Sequence, residues 1–134
     1  MSGNNTNSFT RRYTVRPEHA ARHLETEGIR VLATPVMVGF IEETCRIFWD
    51  ERLPPNKTTV GVRVDVTHVK PALVGSELEV KASVLYADEK RVRFWVEVWS
   101  GKLLIGYALH ERAVIDKEGF ANMIKTMMSS SAGG

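Results

Sequence analysis

Residues 34–53 read TPVMVGFIEETCRIFWDERL, and this stretch decides the fold. Thr34-Pro35 marks a helix start, because threonine suits the N-cap and proline the first helical position. Pro54-Pro55 forbids continuation, so the helix is predicted to run to about Leu53. Val36, Met37, Val38, Phe40, Ile41, Cys45, Ile47, Phe48 and Trp49 cover most of its circumference. Only Gly39, Glu43, Arg46 and Asp50 form a narrow polar stripe at helical spacing. A helix apolar on nearly every side is buried, so a sheet or a subunit partner is expected to wrap it.

Glu42 lies off the polar stripe, between Val38, Cys45 and Trp49. Burying a lone carboxylate is costly, so this position needs a reason. Burial there would make Glu42 a better base near neutral pH, although a partly exposed residue beside Glu43 is the plainer reading.

Outward from the helix, the chain is mostly strand. Residues 9–16 alternate, with Phe9, Tyr13 and Val15 on one side, and EHAARHL after Pro17 fits a short helix. LETEGIRVLA (24–33) reads as an irregular linker. In TTVGVRVDVTH, Val60, Val62, Val64 and Val66 are expected to share a face, with His68 next on it. Leu78, Val80, Ala82, Val84 and Tyr86 form a second row, and Val92, Phe94, Val96 and Val98 a third. Leu103, Ile105, Tyr107, Leu109, Ala113 and Ile115 form a fourth, broken by Glu111. Short links (ADEKR, SGK) predict an antiparallel meander for the last three strands, and KEGFANMIKTMM a closing helix. The class is α+β, with an antiparallel sheet curled around one long central helix. One domain over residues 9–128 is expected, with small polar residues making 1–8 and 129–134 flexible tails.

Composition narrows the function. The 134 residues carry a net charge of +2 with no basic run, which argues against nucleic acid and membrane surfaces as partners. The single cysteine, Cys45, excludes an intrachain disulfide and reads as an inert core residue. No signal-like or membrane-spanning segment is seen, so a cytoplasmic location is expected. No cluster of His, Cys and Asp has metal-ligand spacing, and no phosphate-cradling loop or nucleophile elbow is present, so neither metal nor cofactor is expected.

Three polar residues remain that break apolar patterns: Thr34, Glu42 and His68. Thr34 is explained by capping alone, and His68, ending a valine-rich strand, by a structural role. Taken together, a hydroxyl, a carboxylate and an imidazole near a helix N-terminus suit acyl transfer or hydrolysis. Helix N–H groups would stabilise a developing oxyanion. Because Pro35 has none, Val36 and Met37 are the expected donors. His19, His23 and His110 carry weaker signals. Trp95 and Trp99, on a strand face with Arg91, Arg93 and Glu97, suggest an interface.

The strings ATPVMVGFIEETC, VGVRVDVTHVKPALVG and IGYALHERAVI resemble the hotdog-fold acyl-CoA thioesterases, and within them the fluoroacetyl-CoA thioesterase branch. Thr34 stands eight residues before Glu42, Gly61 seven before His68, and Arg112 lies within HERAVI. The resemblance spans about residues 13–120. It implies hydrolysis of a small or medium acyl-CoA, homodimers with side-by-side sheets, and active sites at the dimer interface; the apolar helix with Trp95 and Trp99 also points to a homodimer, with a tetramer above it as the alternative. Thr34, Glu42 and His68 would be the catalytic set, with Gly61 and Arg112 supporting the substrate. In that branch aromatic residues before the threonine form a lid that selects fluorine. LETEGIRVLA contains none, which argues for general thioester hydrolysis. A non-catalytic acyl-CoA-binding domain is the rival reading. A hydratase, which normally uses an Asp/His pair, is a weaker one.

Overall fold

The computed structural model describes residues 7–133. Five strands form one antiparallel sheet: β1 (Ser8–Thr14), β2 (Lys57–His68), β3 (Glu77–Ala87), β4 (Arg91–Ser100) and β5 (Leu103–Asp116), in the order β1-β3-β4-β5-β2. Helix α1 (Thr34–Asp50) packs against β1, β2, β3 and β5, and α2 (Lys117–Gly133) follows β5 directly. This is the α+β arrangement of a sheet around a central helix, and β3-β4-β5 is the expected meander. No helix among the described residues is long and apolar enough to cross a membrane.

The core is one cluster between α1 and the sheet. Met37, Ile41, Cys45 and Phe48 recur along α1 at the three- and four-residue spacing of one helix face. They meet Leu78, Val80 and Ala82 of β3 and Val92, Phe94, Val96 and Val98 of β4, all fully buried. Rings stitch the layers together, with Tyr13 stacked on Phe40 at 4.3 Å and Phe9 on Phe48 at 5.3 Å. Burial pushes the Cys45 thiol well above its ordinary range, as befits an inert core residue.

Several local expectations change. The segment after Pro17 forms two 3₁₀ turns, Pro17–His19 and Arg22–Leu24, not one helix. The 24–33 linker contains a miniature hairpin. Thr26 bridges Ile29, and Glu27 (φ 52°) and Gly28 (φ 76°) both take the left-handed conformation that such tight turns demand. Helix α1 ends at Asp50, and the residues before Pro54 turn out of it, since a residue preceding proline avoids helical geometry. Helix α2 continues beyond 128 to Gly133, and Ser8 already belongs to β1. Residues 1–6 and 134 of the expected tails lie outside the described residues. Asp116 accepts the Gly119 N–H at 2.8 Å, which caps α2 and holds the Asp116 carboxyl below its usual range.

Two strand faces differ from the simple alternation. In β5 the buried row is Gly106, Ala108, His110 and Arg112, while the Tyr107 and Leu109 row faces outward. On that outer face Tyr107 stacks with Trp95 at 5.3 Å, and Trp95 and Trp99 both donate to Glu97. In β2 the register shifts between Gly61 and Arg63, so Val62 is an extra residue. Gly61 pairs with buried Arg112, and Val64 with buried His110. The four valines therefore do not share one face: Val60 pairs with Ala113, on the side away from Arg112.

At Gly106 the side chain of Met37 on α1 comes close against the sheet. A Cβ there would lie 2.8 Å from both the Met37 Cε and the Thr67 carbonyl oxygen. The backbone oxygen cannot be displaced cheaply, so Gly106→Ala should cost about 1–3 kcal/mol. The check is a lower urea midpoint with an unchanged slope.

Candidate active site

Thr34 and His68 meet at the N-terminal end of α1. Thr34 Oγ1 lies 2.8 Å from His68 Nδ1. Thr34 is not the N-cap. Ala33 holds that place with extended geometry, Thr34 is the first helical residue, and no side chain caps the helix. The threonine hydroxyl is engaged by the imidazole instead, which is why a reading based on capping does not hold. His68 Nε2 is buried and has no hydrogen-bond partner. A buried polar atom left unpaired is costly unless something else occupies its direction.

The first-turn N–H groups also differ from expectation. Val36 and Met37 both donate to the Ala33 carbonyl, at 3.1 and 3.2 Å, so neither is free for an oxyanion. The threonine–histidine pair opens instead onto a cavity of about 660 Å³. Its wall includes Ala20, Ala21, Leu24, Val31 and Leu32, with no phenyl, phenol or indole, while Arg22, His23 and Lys70 contribute exposed basic groups.

Glu42 sits elsewhere. It lies eight residues after Thr34, about 12 Å further along the helix axis. Its neighbours are Arg112, Gly61 and His110. Arg112 Nη1 is 3.8 Å from Glu42 Oε2, an ion pair too long for a hydrogen bond. The Glu42 side chain is 43% exposed, against 6% for Arg112. The carboxylate is thus less buried than its arc on the helix suggests. It points towards the end of the sheet where Val62 and Val64 are themselves exposed. Gly61 is needed here, since a Cβ would stand 3.0 Å from Glu42 Oε2 and 3.3 Å from Arg112 Nη1. A second cavity, about 190 Å³, is lined by Glu42, Gly61, Arg63 and His110 among others.

Arg112 is held from several sides. Its Nε donates to Thr59 Oγ1 at 2.7 Å, its Nη2 to the Thr59 carbonyl at 3.1 Å, and its Nη1 to His110 Nε2 at 3.1 Å. Burial disfavours the guanidinium cation, and the Glu42 carboxylate partly offsets this. Thr59 is a neighbour of this group that sequence reasoning missed, and His110 one that it ranked low. The only signal for them was the strand pairing of β2 with β5, which composition and spacing do not reveal. His19 is structural, accepting the Arg16 N–H at 2.9 Å, and no group of three or more metal-ligating side chains exists among the described residues.

Of the five expected site residues, one chain therefore assembles two separate groups. Thr34 joins His68, and Glu42 joins Gly61 and Arg112. Gly61 and His68 are seven residues apart on β2, about 20–23 Å along the strand. The bulge gives both the same facing. An odd separation would normally put them on opposite sides, but the extra Val62 restores a common side towards α1.

Comparison with known proteins agrees with this architecture. The family model for fluoroacetyl-CoA-specific thioesterases matches residues 15–118. The fluoroacetyl-CoA thioesterase of Streptantibioticus cattleyicolor is 32% identical over 118 residues, covering 84% of this chain and 85% of that protein. A solved structure of the fluoroacetyl-CoA thioesterase FlK superposes with a TM-score of 0.80 at 31% identity, covering 89% of this chain and 93% of that one. A Thermus thermophilus thioesterase superfamily member, 23% identical, shares the fold with a TM-score of 0.84 over 95% of this chain and 94% of that one. The chain belongs to the family of fluoroacetyl-CoA-specific thioesterases.

Proposed function

We propose that the chain hydrolyses small or medium acyl-CoA thioesters in the cytoplasm, at a centre completed by two copies of itself. The observation that carries this reading is the split of the site into two groups beside one open strand. Among the described residues, strand β2 is at the sheet edge and pairs with β5 alone, and Val62 and Val64 on it are 45% and 37% exposed. An open edge is a template for another strand. A two-fold axis between Val64 and Asp65 would set Gly61 opposite the partner's His68. Each Glu42–Arg112–Gly61 group would then face the partner subunit's Thr34–His68 pair, giving two identical centres.

The chemistry follows from the groups. The Glu42 carboxylate supplies the electron pair for the acyl carbon, directly or through a water that it deprotonates. The carbon–sulfur bond breaks, and His68 passes a ring proton to the departing thiolate; where water attacks, the proton taken up by Glu42 returns to His68 through solvent, and where Glu42 itself attacks, water then hydrolyses the mixed anhydride to the free acid and restores the carboxylate. Thr34 holds the imidazole and orients the attacking group. Arg112 balances charge beside the carboxylate. Exposed Arg22 and Lys70, at the cavity beside Thr34, suit the phosphates of coenzyme A. One solved FlK variant, 31% identical, is a complex with fluoroacetate and CoA, which supports acyl-CoA as the ligand class.

Glu42→Gln keeps the volume and removes the charge. Thiol release from acyl-CoA should fall at least ~100-fold, the scale of a general base. Near-normal turnover would remove Glu42 from the mechanism, and absence of turnover in the unaltered protein on every acyl-CoA would favour the binding-domain reading.

The composite centre predicts complementation. Thr34→Val and Glu42→Gln proteins should each be inactive. Mixed and re-equilibrated, they form hybrid dimers with one intact centre, so activity should recover towards about a quarter of the unaltered level. A mixture that stays inactive while hybrids are present by native mass spectrometry would show that the centre does not span subunits.

The aliphatic cavity wall predicts weak discrimination. One methylene in an apolar pocket is worth ~1–3 kcal/mol, so activity should change gradually across acyl chain lengths. Specificity constants for fluoroacetyl-CoA and acetyl-CoA should agree within about tenfold, or ~1.4 kcal/mol. A fluoroacetyl preference near 10⁴, equivalent to roughly 5.5 kcal/mol, would place selectivity in Thr34, Glu42 and His68 themselves.

A further inference from the structure

His110 belongs to neither half of the reacting set, yet it touches both supports of one half. It is 1% exposed, and its ring stacks on Phe94 at 6.4 Å between centroids. Its Nδ1 is 2.7 Å from the Arg63 carbonyl oxygen, and its Nε2 is 3.1 Å from Arg112 Nη1. Arg112 has only donors, so Nε2 must present its lone pair. Nδ1 therefore carries the proton and donates it to Arg63. That assignment makes the ring neutral. Arg63 closes the bulge that follows Gly61, and the His110 Cε1 stands 3.4 Å from where a Gly61 Cβ would be.

We infer that His110 is a positioning residue, whose neutral ring ties the Gly61–Arg63 bulge to the Arg112 guanidinium and so fixes both against Glu42. The inference rests on the reading that Arg112 and Glu42 belong to the reacting centre. The bond from Arg112 Nη1 is the decisive one. The other two bonds hold the guanidinium to Thr59 on β2, but Nη1 is the atom that faces the carboxylate. Without His110, Nη1 loses its acceptor, the guanidinium is held by Thr59 alone, and the Arg63 carbonyl loses its side-chain donor.

The same geometry makes the device sensitive to acid. A protonated ring has no lone pair for Arg112, and two cations would then face each other at bonding distance. The charged groups that act on the ring are Arg112 on β5 and Glu42 on α1. From β2 the ring meets the Arg63 carbonyl, and from β4 the Phe94 ring. Burial, and then the Arg112 charge, hold His110 on the acid side of the ordinary histidine range. The ring is therefore neutral and the clamp intact at neutral pH, and the clamp opens only as pH falls below that range.

The test compares His110→Leu, His110→Gln and Arg112→Lys with the unaltered enzyme, measuring kcat and KM from pH 4.5 to 8 alongside thermal melting. Glutamine offers one donor and one acceptor at the spacing of the ring nitrogens and does not titrate. At pH 8, His110→Leu should lose about 30-fold in kcat with KM within about threefold, and His110→Gln should recover to within about threefold of the unaltered rate. The ratio of kcat/KM for His110→Gln to that of the unaltered enzyme should stay level from pH 8 to pH 6.5 and rise as pH falls on towards 4.5. A purely structural histidine would leave that ratio flat, and a flat ratio overturns the inference. Should His110→Leu fail to fold, the glutamine ratio still decides. Full activity in Arg112→Lys would strike the reading of the site itself, whereas loss there with a flat glutamine ratio sinks only the role of His110.

Discussion

The extra residue in β2 governs the geometry of everything around it. Side chains on a strand alternate, so any two residues an odd number apart oppose each other unless the ladder is interrupted. Val62 is that interruption. It lets the N-terminal part of β2 turn Thr59 and Gly61 towards α1, and the C-terminal part turn Val64 and His68 the same way. Thr59 then reaches Arg112, Gly61 leaves room for Glu42, and His68 reaches Thr34. Remove the bulge and one of these groups must face the opposite side of the sheet.

Charge placement follows from the same feature. A guanidinium 6% exposed would be costly alone. Three hydrogen bonds answer its donors, and none comes from the carboxylate, which stands at 3.8 Å. The Glu42–Arg112 pair is thus built for orientation more than for stability, because an ion pair with one partner nearly half exposed contributes little. Among the described residues, none donates a hydrogen bond to either Glu42 oxygen. That is the condition under which a carboxylate is available to a ligand.

The sequence was most informative where patterns are local and long. The apolar arc of α1, its end before Pro54, the Val92–Val98 row and the meander follow from periodicity and turn chemistry alone. It was least informative where a single residue changes parity. The even-numbered valines of β2 read as one face because alternation carries no mark of a bulge, and Gly61 is the only hint. In β5 the large residues misled. Ile105 is buried as expected, but Tyr107 and Leu109 face outward while Gly106 and Ala108 line the core, and at Gly106 Met37 approaches too closely for anything larger. His110 was undervalued for the same reason: its importance comes from Thr59, Arg63 and Arg112, residues up to 51 positions away in the chain. Resemblance named Thr34, Glu42 and His68 as a set. Their division into two groups was not legible, because spacing along a chain says nothing about which end of a strand meets which end of a helix.

The open edge of β2 has a consequence for how the molecule behaves on dilution. A lone subunit carries twelve residues of strand with one row of backbone groups turned to water, beside exposed valines. On the proposed two-fold, pairing those groups and completing the catalytic centre are one event. Folding stability, edge protection and chemistry then obey a single mass-action law, in which each tenfold fall in protein concentration weakens association by about 1.4 kcal/mol. Specific activity becomes a property of abundance, so that a subunit without a partner is both inert and open to non-native strand pairing.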